Sequence, residues 1–159
     1  MLSIQILCIG KLKEKYWKEA CAEYAKRLSG FCRFSIVELE ESRVPENPSQ
    51  AQIDHALKEE GARILAKTGS AALIALCIEG REMSSPALSK ELQLAAVNGI
   101  SKLAFAIGGS WGLSGDVKRA AKHKLSMSPM TFPHQLARVM LCEQIYRAFQ
   151  IANDGKYHK

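Results

Sequence analysis

The order of apolar runs predicts an α/β fold: an open, mostly parallel sheet of about five strands with helices on both faces. Three observations carry that prediction. Short β-rich runs alternate with longer segments of helical period along the whole chain. One run, Ala72 to Ile78, is apolar at nearly every position, the pattern of a central strand covered on both faces. Another, Leu103 to Ile107, stops at Gly108-Gly109 with Gly112 and Gly115 close behind, which marks a strand ending in a tight loop before a helix.

Taken in order, Leu2 to Ile9 alternates with period 2 and stops at Gly10, so it predicts the first strand. Residues 13 to 29 place Trp17, Ala20, Cys21, Tyr24, Ala25 and Leu28 on one stripe backed by charges, a helix ended by Gly30. Phe34 to Leu39 predicts a second strand. The following EESRVPENPSQ holds two prolines and is expected to be the most mobile loop. A helix from about Ser49 to Lys67 turns Ile53, Ala56, Leu57, Ile64 and Leu65 inward. The third strand, from Ala72, is expected to end at Glu79-Gly80. Ser85 as N-cap before Pro86 starts a helix that stops at Asn98-Gly99. After the glycine loop, Ser114 stands as N-cap with Asp116 in the first turn and Val117, Ala120 and Ala121 on a stripe. Leu125 to Ser128 is the fifth strand, and Pro129, Thr131 and Pro133 lead into the last helix, about Pro133 to Asn153.

That last helix is apolar nearly all round, with Leu141, Cys142, Ile145, Ala148, Phe149 and Ala152 on one broad face, and Val139, Met140, Tyr146 and Ile151 widening it. Glu143, Arg147 and Gln150 form a narrow polar stripe, with Arg138 standing apart. Such a helix needs cover on both sides, and in a chain of 159 residues a second copy is the expected cover. No repeat, low-complexity segment or boundary divides the chain, so one domain over 1–159 is expected.

Hydrophobic residues at 47% and charged residues at 24% describe a globular chain, not a disordered one. Five cysteines at 8, 21, 32, 77 and 142 show neither C-x-x-C nor metal-ligand spacing, and read as buried small hydrophobes of a reducing cytosol. The four histidines have no metal spacing either. His134 beside Pro133 reads as a first-turn hydrogen-bonding residue, and no metal is expected. No apolar run is long enough to span a membrane, and the N-terminus lacks the basic start of a signal peptide, so a cytoplasmic location is expected. A net charge of +6 favours polyanionic partners.

Two strand ends with loops rich in glycine and proline describe a ligand crevice at the carboxyl edge of a parallel sheet. The glycine loop departs from a dinucleotide fingerprint in spacing and lies too late in the chain. On residues alone, a nucleotide-like ligand and a turn that merely needs glycine both stand. Lys118, Arg119, Lys122, His123 and Lys124 crowd one short stretch, either to complement a helix dipole or to meet phosphate. The end, Asp154 to Lys159, has the composition of a frayed terminus.

The runs IGGSWGL and LSMSPMTFPHQLARVMLCEQIYRA, the terminal YHK, KLKEKYW near the start and the IEG of the third strand resemble the ribosomal RNA large subunit methyltransferase H family of the SPOUT superfamily. The resemblance spans the whole chain. One departure is Lys156 where the tail often has proline, which is expected to loosen the tail but leaves Tyr157, His158 and Lys159 in place. It implies a C-terminal trefoil knot, against the general rarity of knots. It implies S-adenosylmethionine bound by Leu76, Gly108 and the stretch Met127, Ser128, Pro129, Met130, Thr131 and Phe132. It implies a homodimer that methylates N3 of a pseudouridine in the helix 69 loop of 23S rRNA, in the assembled ribosome. The implied catalytic groups are Arg138, Arg147, Tyr157 and His158, with Lys159 beside them and Glu143 orienting an arginine. A non-catalytic ribosome-assembly factor and a nicotinamide or flavin enzyme are the rivals. Calorimetry with S-adenosylmethionine, NAD and FMN separates them.

Overall fold

A computed structural model describes all of residues 1–159. Ten elements alternate: β1 (Ser3–Ile9), α1 (Lys15–Leu28), β2 (Arg33–Leu39), α2 (Gln50–Thr68), β3 (Ala72–Glu82), α3 (Ser85–Val97), β4 (Lys102–Ile107), α4 (Gly115–Ala120), β5 (His123–Ser126) and α5 (His134–Ala152). The five strands form one sheet in the order β2-β1-β4-β3-β5, and every pair is parallel.

Period 2 in the strands separates two cores. Ile4, Ile6 and Cys8 of β1, Ile74 of β3 and Leu103, Phe105 and Ile107 of β4 face Cys21 and Leu28 of α1, Leu88 and Leu92 of α3, and Leu141, Cys142 and Ile145 of α5. On the other face Leu7, Ile9, Leu73, Ala75, Ala104 and Ala106 meet Ile64 of α2 and Val117 of α4. Three alanines on this side leave a shallow surface, and the covering helices sit tightly on it. A Cβ on Gly61 of α2 would run into the Ser114 hydroxyl at the start of α4.

Local signals explain most boundaries. Ser49 and Gln52 close a full capping box at α2, and the Ser114 hydroxyl accepts the Val117 N–H at α4. At α3 the cap is Ser84, one residue before the predicted Ser85, because the Ser84 hydroxyl takes the Ala87 N–H and leaves Pro86 inside the first turn. The fifth strand also begins earlier than predicted. Lys122 N–H bonds the Leu73 carbonyl at 2.8 Å, while Ser128 has already left the ladder to accept the Met130 N–H at 3.0 Å. His123 and the charged Lys124 thereby sit on the open edge, where polar side chains discourage further strand pairing.

The third strand does not stop at Glu79-Gly80. It leaves the ladder after Leu76 and rejoins it at Arg81, and both of these residues pair with Leu125. Gly80 permits the return, since a Cβ there would lie 2.7 Å from the Lys124 and Leu125 carbonyl carbons. The four residues between, Cys77 to Gly80, bow out of the sheet.

The cover of α5 comes from its own chain. The helix lies against α1 and α3, and every residue from His134 to Ile151 is buried or half-buried. Ile145 is fully buried in the monomer core, and Phe149 stacks on Phe31 with ring centroids 5.7 Å apart. An all-round apolar helix here reflects two neighbouring helices, so its composition by itself no longer calls for a second copy.

Candidate active site

The carboxyl ends of β3, β4 and β5 open onto a cavity of about 720 Å³, within the range of small-molecule sites. Its walls come from three stretches far apart in sequence: the bowed segment Leu76 to Glu79, the loop Ile107 to Leu113, and Ser126 to Ala137. Of the residues that the resemblance assigns to a cofactor, Leu76, Gly108, Met127, Ser128, Met130, Thr131 and Phe132 line it and Pro129 does not.

Glycines shape this cavity by letting backbone close on backbone. The loop after β4 folds into a bridge between Gly109 and Gly112, with Gly112 at φ +83. A Cβ on Gly108 would strike the Gly112 carbonyl, so the loop itself forbids a side chain there before any ligand arrives.

Four titratable groups line the cavity: Cys77, Glu79, Lys118 and His134. Glu79 and Lys118 pair at 2.6 Å, and the Lys118 ammonium holds the Glu79 carboxyl below its usual range. Burial pushes the Cys77 thiol up. Burial, then the Arg138 cation, lower the His134 pKa against a smaller opposing pull from Glu41, so the ring is neutral near pH 7. Two exposed apolar side chains, Ile78 and Met130, line the cavity, and a third, Trp111, lies in the loop between the lining residues Ser110 and Gly112.

The second polar cluster lies further along α5. Glu143 Oε1 accepts from Arg147 Nη2 at 2.6 Å and Nε at 2.9 Å, and from the Tyr157 hydroxyl at 3.1 Å. Gln144 donates to the other oxygen at 2.8 Å. Arg147 also meets His158 Nδ1 at 3.2 Å and lies 4.7 Å from the Tyr157 ring centroid. Tyr157 packs edge-on against Tyr146, and burial, with help from neighbouring Tyr24 and Glu143, raises its phenol pKa to about 12. Glu143 likewise keeps Arg147 firmly charged. The end of the chain is therefore not a frayed terminus. Gly155 N–H returns to the Gln150 carbonyl at 2.7 Å, Asp154 turns at φ +53, and Tyr157 folds back on the helix.

The two clusters are separate within one chain. Glu143 stands nine residues beyond His134, about 14 Å along the helix at 1.5 Å per residue, and Arg147 about 20 Å. Arg138 belongs to neither set of tail contacts: 1% exposed, it pairs with Glu38 Oε2 at 2.8 Å and donates to the Gly10 carbonyl at 3.3 Å. Within one chain the structure does not bring it together with Arg147 and the tail.

A family model described as "Predicted SPOUT methyltransferase" matches residues 2–158. The chain belongs to the SPOUT methyltransferase family. Among curated relatives, "Ribosomal RNA large subunit methyltransferase H" of Leuconostoc mesenteroides is 49% identical over 159 residues, covering 99% of this chain and 100% of the relative. The proteins of the same name from Levilactobacillus brevis and Exiguobacterium sibiricum are 49% and 46% identical with the same coverage. A crystal structure of a methylase family protein from Neisseria gonorrhoeae superposes with TM-score 0.53 at 18% identity, over 91% of this chain and 82% of the other. One from Haemophilus influenzae gives 0.52 at 13%, over 96% and 67%; these two likenesses concern the fold.

In this SPOUT methyltransferase, residue patterns missed several wall groups: Glu79, Lys118 and His134. Glu79 could have been found from its place at an expected strand end. The partner of Arg138 could not, because Glu38 lies a hundred residues away with no spacing rule to join them. Cys77, expected among buried cysteines, is half-buried in the cavity wall; the other four are buried. No helix is long and apolar enough to cross a membrane, and no three His, Cys, Asp or Glu side chains converge on one point.

Proposed function

We propose that the protein is an S-adenosylmethionine-dependent methyltransferase of 23S rRNA that methylates N3 of a pseudouridine in the helix 69 loop, acting in the cytoplasm on the assembled ribosome. The observation that carries the reading is the cavity itself: a crevice at three parallel strand ends, built from the same stretches that the family resemblance assigns to the cofactor.

The cavity suits that cofactor chemically. Leu76, Met127, Met130 and Phe132 offer apolar walls, and the tightly closed Gly108–Gly112 loop offers bare backbone to an adenine edge. When bound, S-adenosylmethionine supplies an electrophilic methyl group on a sulfonium. The trefoil threading of the C-terminal segment belongs to this proposal; its support is that residues 126–134 line the same cavity as the β3 and β4 loops.

The acceptor nitrogen is an imide that must lose its proton as the methyl arrives, so the site needs cations or donors near its flanking oxygens. Arg147, held charged by Glu143, with His158 and Tyr157 beside it, is a preformed cluster of that kind. From Ala137, the last α5 residue of the cavity wall, about 9 Å of helix leads to Glu143 and about 15 Å to Arg147. We therefore assign the working site to a homodimer in which the tail cluster of one copy completes the cavity of the other. The exposed apolar rim of Ile78, Trp111 and Met130 supports this, since such side chains around a cavity mouth favour a covering surface. Net charge +6, with Lys122 and Lys124 free of acidic partners, favours an RNA substrate recognised largely by form.

The test is initial-rate methyl transfer from labelled cofactor to 70S ribosomes, isolated subunits and free rRNA, followed by mapping of the modified base. Transfer to a different base, or to free rRNA in preference to ribosomes, would overturn the substrate assignment. Sedimentation as a monomer at micromolar concentration would overturn the dimer.

A further inference from the structure

Two buried polar atoms in the structure lack any hydrogen-bond partner, and both belong to the first turn and a half of α5: Nδ1 of His134 and Nε of Arg138. An unpartnered buried polar atom is costly, so such a pair marks either a water site or a place where something binds. Arg138 cannot move to relieve its atom. Its guanidinium is already fixed by Glu38 and the Gly10 carbonyl, and Glu38 is itself held by the Leu12 N–H at 2.8 Å.

Hydrogen-bond roles favour one state of the histidine. Arg138 Nε carries a hydrogen and can only donate. No direct bond joins it to Nδ1 one helical turn away, and a bare Nδ1 bridged to it by one water would satisfy both atoms. That arrangement puts the ring proton on Nε2. The groups facing the ring oppose a second proton. Arg138 on α5 and the positive end of the helix repel it, while Glu41 from the loop after β2 attracts it less strongly. Glu38 of β2 is taken up by Arg138. Across the cavity, Glu79 is taken up by Lys118, and the Cys77 thiol stays protonated. Of the titratable groups in the wall, His134 alone has no hydrogen-bond partner.

We infer that His134 is a further catalytic residue of this site: a neutral imidazole whose Nε2–H points a fixed donor at an anionic oxygen of the bound reactants. This rests on the methyl-transfer reading above. Two sources offer such an oxygen. One is the carboxylate of the cofactor. The other is the carbonyl oxygen beside the acceptor nitrogen, where negative charge gathers as the N–H proton leaves to water and is discharged as the N–C bond forms and the C–S electron pair returns to sulfur, leaving a neutral thioether. A neutral donor suits the second, since it stabilises the developing charge without giving its proton away.

The experiment has two arms. In the first, the wild-type protein is labelled with ¹⁵N and the tautomer of His134 is read by long-range ¹H–¹⁵N correlation between pH 6 and 8, assigned by His134→Gln. The neutral Nε2–H form is expected throughout; an Nδ1–H tautomer, or an imidazolium at pH 7, overturns the inference without reference to any reaction. In the second, cofactor affinity and the rate on ribosomes at saturating cofactor are measured for three variants. His134→Ala should lower one of them by about 100-fold, in line with loss of one such donor. His134→Gln, whose amide nitrogen reaches the Nε2 position, should restore most of the loss, and His134→Asn, which reaches only the Nδ1 position, should not. Loss in affinity identifies the cofactor carboxylate as the partner, and loss in rate identifies the acceptor oxygen. Variants within threefold of wild type in both, or Asn restoring better than Gln, overturn the inference. Failure of the wild type to bind cofactor or methylate ribosomes would instead sink the functional reading, leaving the tautomer result standing.

Discussion

The two ends of α5 carry polar groups of similar type in opposite condition. At its start, His134 and Arg138 are closed in, and each has an atom without a partner. Further on, Glu143, Arg147, Tyr157 and His158 bond one another, and Glu143 alone accepts from three side chains. The first station is ordered around something still to be supplied. The second is already satisfied and can be presented whole to another surface. A group buried with incomplete bonding is tied to stability, since its charge has nowhere to go, whereas a half-exposed and fully bonded cluster can be altered at little cost to folding.

That contrast is tested most severely at the tail. Deleting Tyr157 to Lys159 should leave the fold and cofactor affinity nearly intact and lower initial-rate ribosome methylation by about 100-fold or more, the scale of a lost electrostatic or proton-transfer group. A truncated enzyme within a few-fold of wild type would return these residues to the status of a packed end. Mixing the truncated chain with a full-length Gly108→Val chain should restore part of the activity if one copy's tail serves the other's cavity. No recovery in mixed dimers would confine the tail to its own chain. Gly108→Val alone should weaken cofactor binding at least about tenfold in calorimetry, about 1.4 kcal/mol, because its side chain prises the loop from the Gly112 carbonyl.

Stability should divide the other way. Glu38→Gln leaves the Arg138 charge buried and unanswered, and should cost about 3 kcal/mol in urea unfolding. Arg138→Met leaves Glu38, which is about a third exposed and can rehydrate, so about 1 kcal/mol is expected. Glu143→Gln at the far station should cost no more than about 1 kcal/mol while lowering activity. Equal losses at Glu38 and Glu143 would erase the distinction between the two ends.

The smallest effect is in pH. Burial alone would raise the Glu38 pKa, but the Arg138 hydrogen bond and the Leu12 N–H outweigh it and hold the carboxyl below its ordinary 4.5. A carboxyl depressed in the folded state contributes stability above its unfolded pKa and loses that contribution as the pH falls through the folded one. Unfolding free energy should therefore decline below about pH 4.5, and decline less in Arg138→Met. Parallel acid profiles for the two proteins would remove the ion pair as the cause.

Much of the fold was legible because its signals are local. Period 2 in β1, the short apolar run of β4, the Ser114 cap and the glycine pair each act within a few residues. What failed was what depends on partners. Glu79-Gly80 reads as a stop, yet the bare Gly80 backbone is what lets β3 come back against β5. The cover that an apolar α5 calls for comes in large part from α1 and α3 of the same chain, which leaves the dimer reading untouched. The tail reads as loose because nothing in its composition reveals that Glu143 and Tyr146 await Tyr157. A crevice at the ends of β4 and β5 was legible from the loops that follow them, and residues 127–132 do line one; their assignment to a cofactor came only from the family pattern.

The strand order sets a condition on how the chain can assemble. β1 lies between β2 and β4, and its register joins Ser3 to Lys102. The centre of the sheet therefore cannot close until about two thirds of the polypeptide has been synthesised. Until then β1, with Ile6, Leu7, Cys8 and Ile9 fully or almost fully buried in the finished protein, keeps one edge open and its faces only partly covered by α1 and α2. Contacts of such long sequence separation close slowly, because the intervening loop must be ordered first. Nascent chains halted just before β4 should accordingly remain open to protease in β1, whereas chains released beyond Ile107 should become resistant. Early resistance would show that β1 finds shelter without β4. On this view the N-terminal strand is made first and secured late, and a cell that makes this protein must keep a newly exposed apolar edge from sticking until β4 arrives.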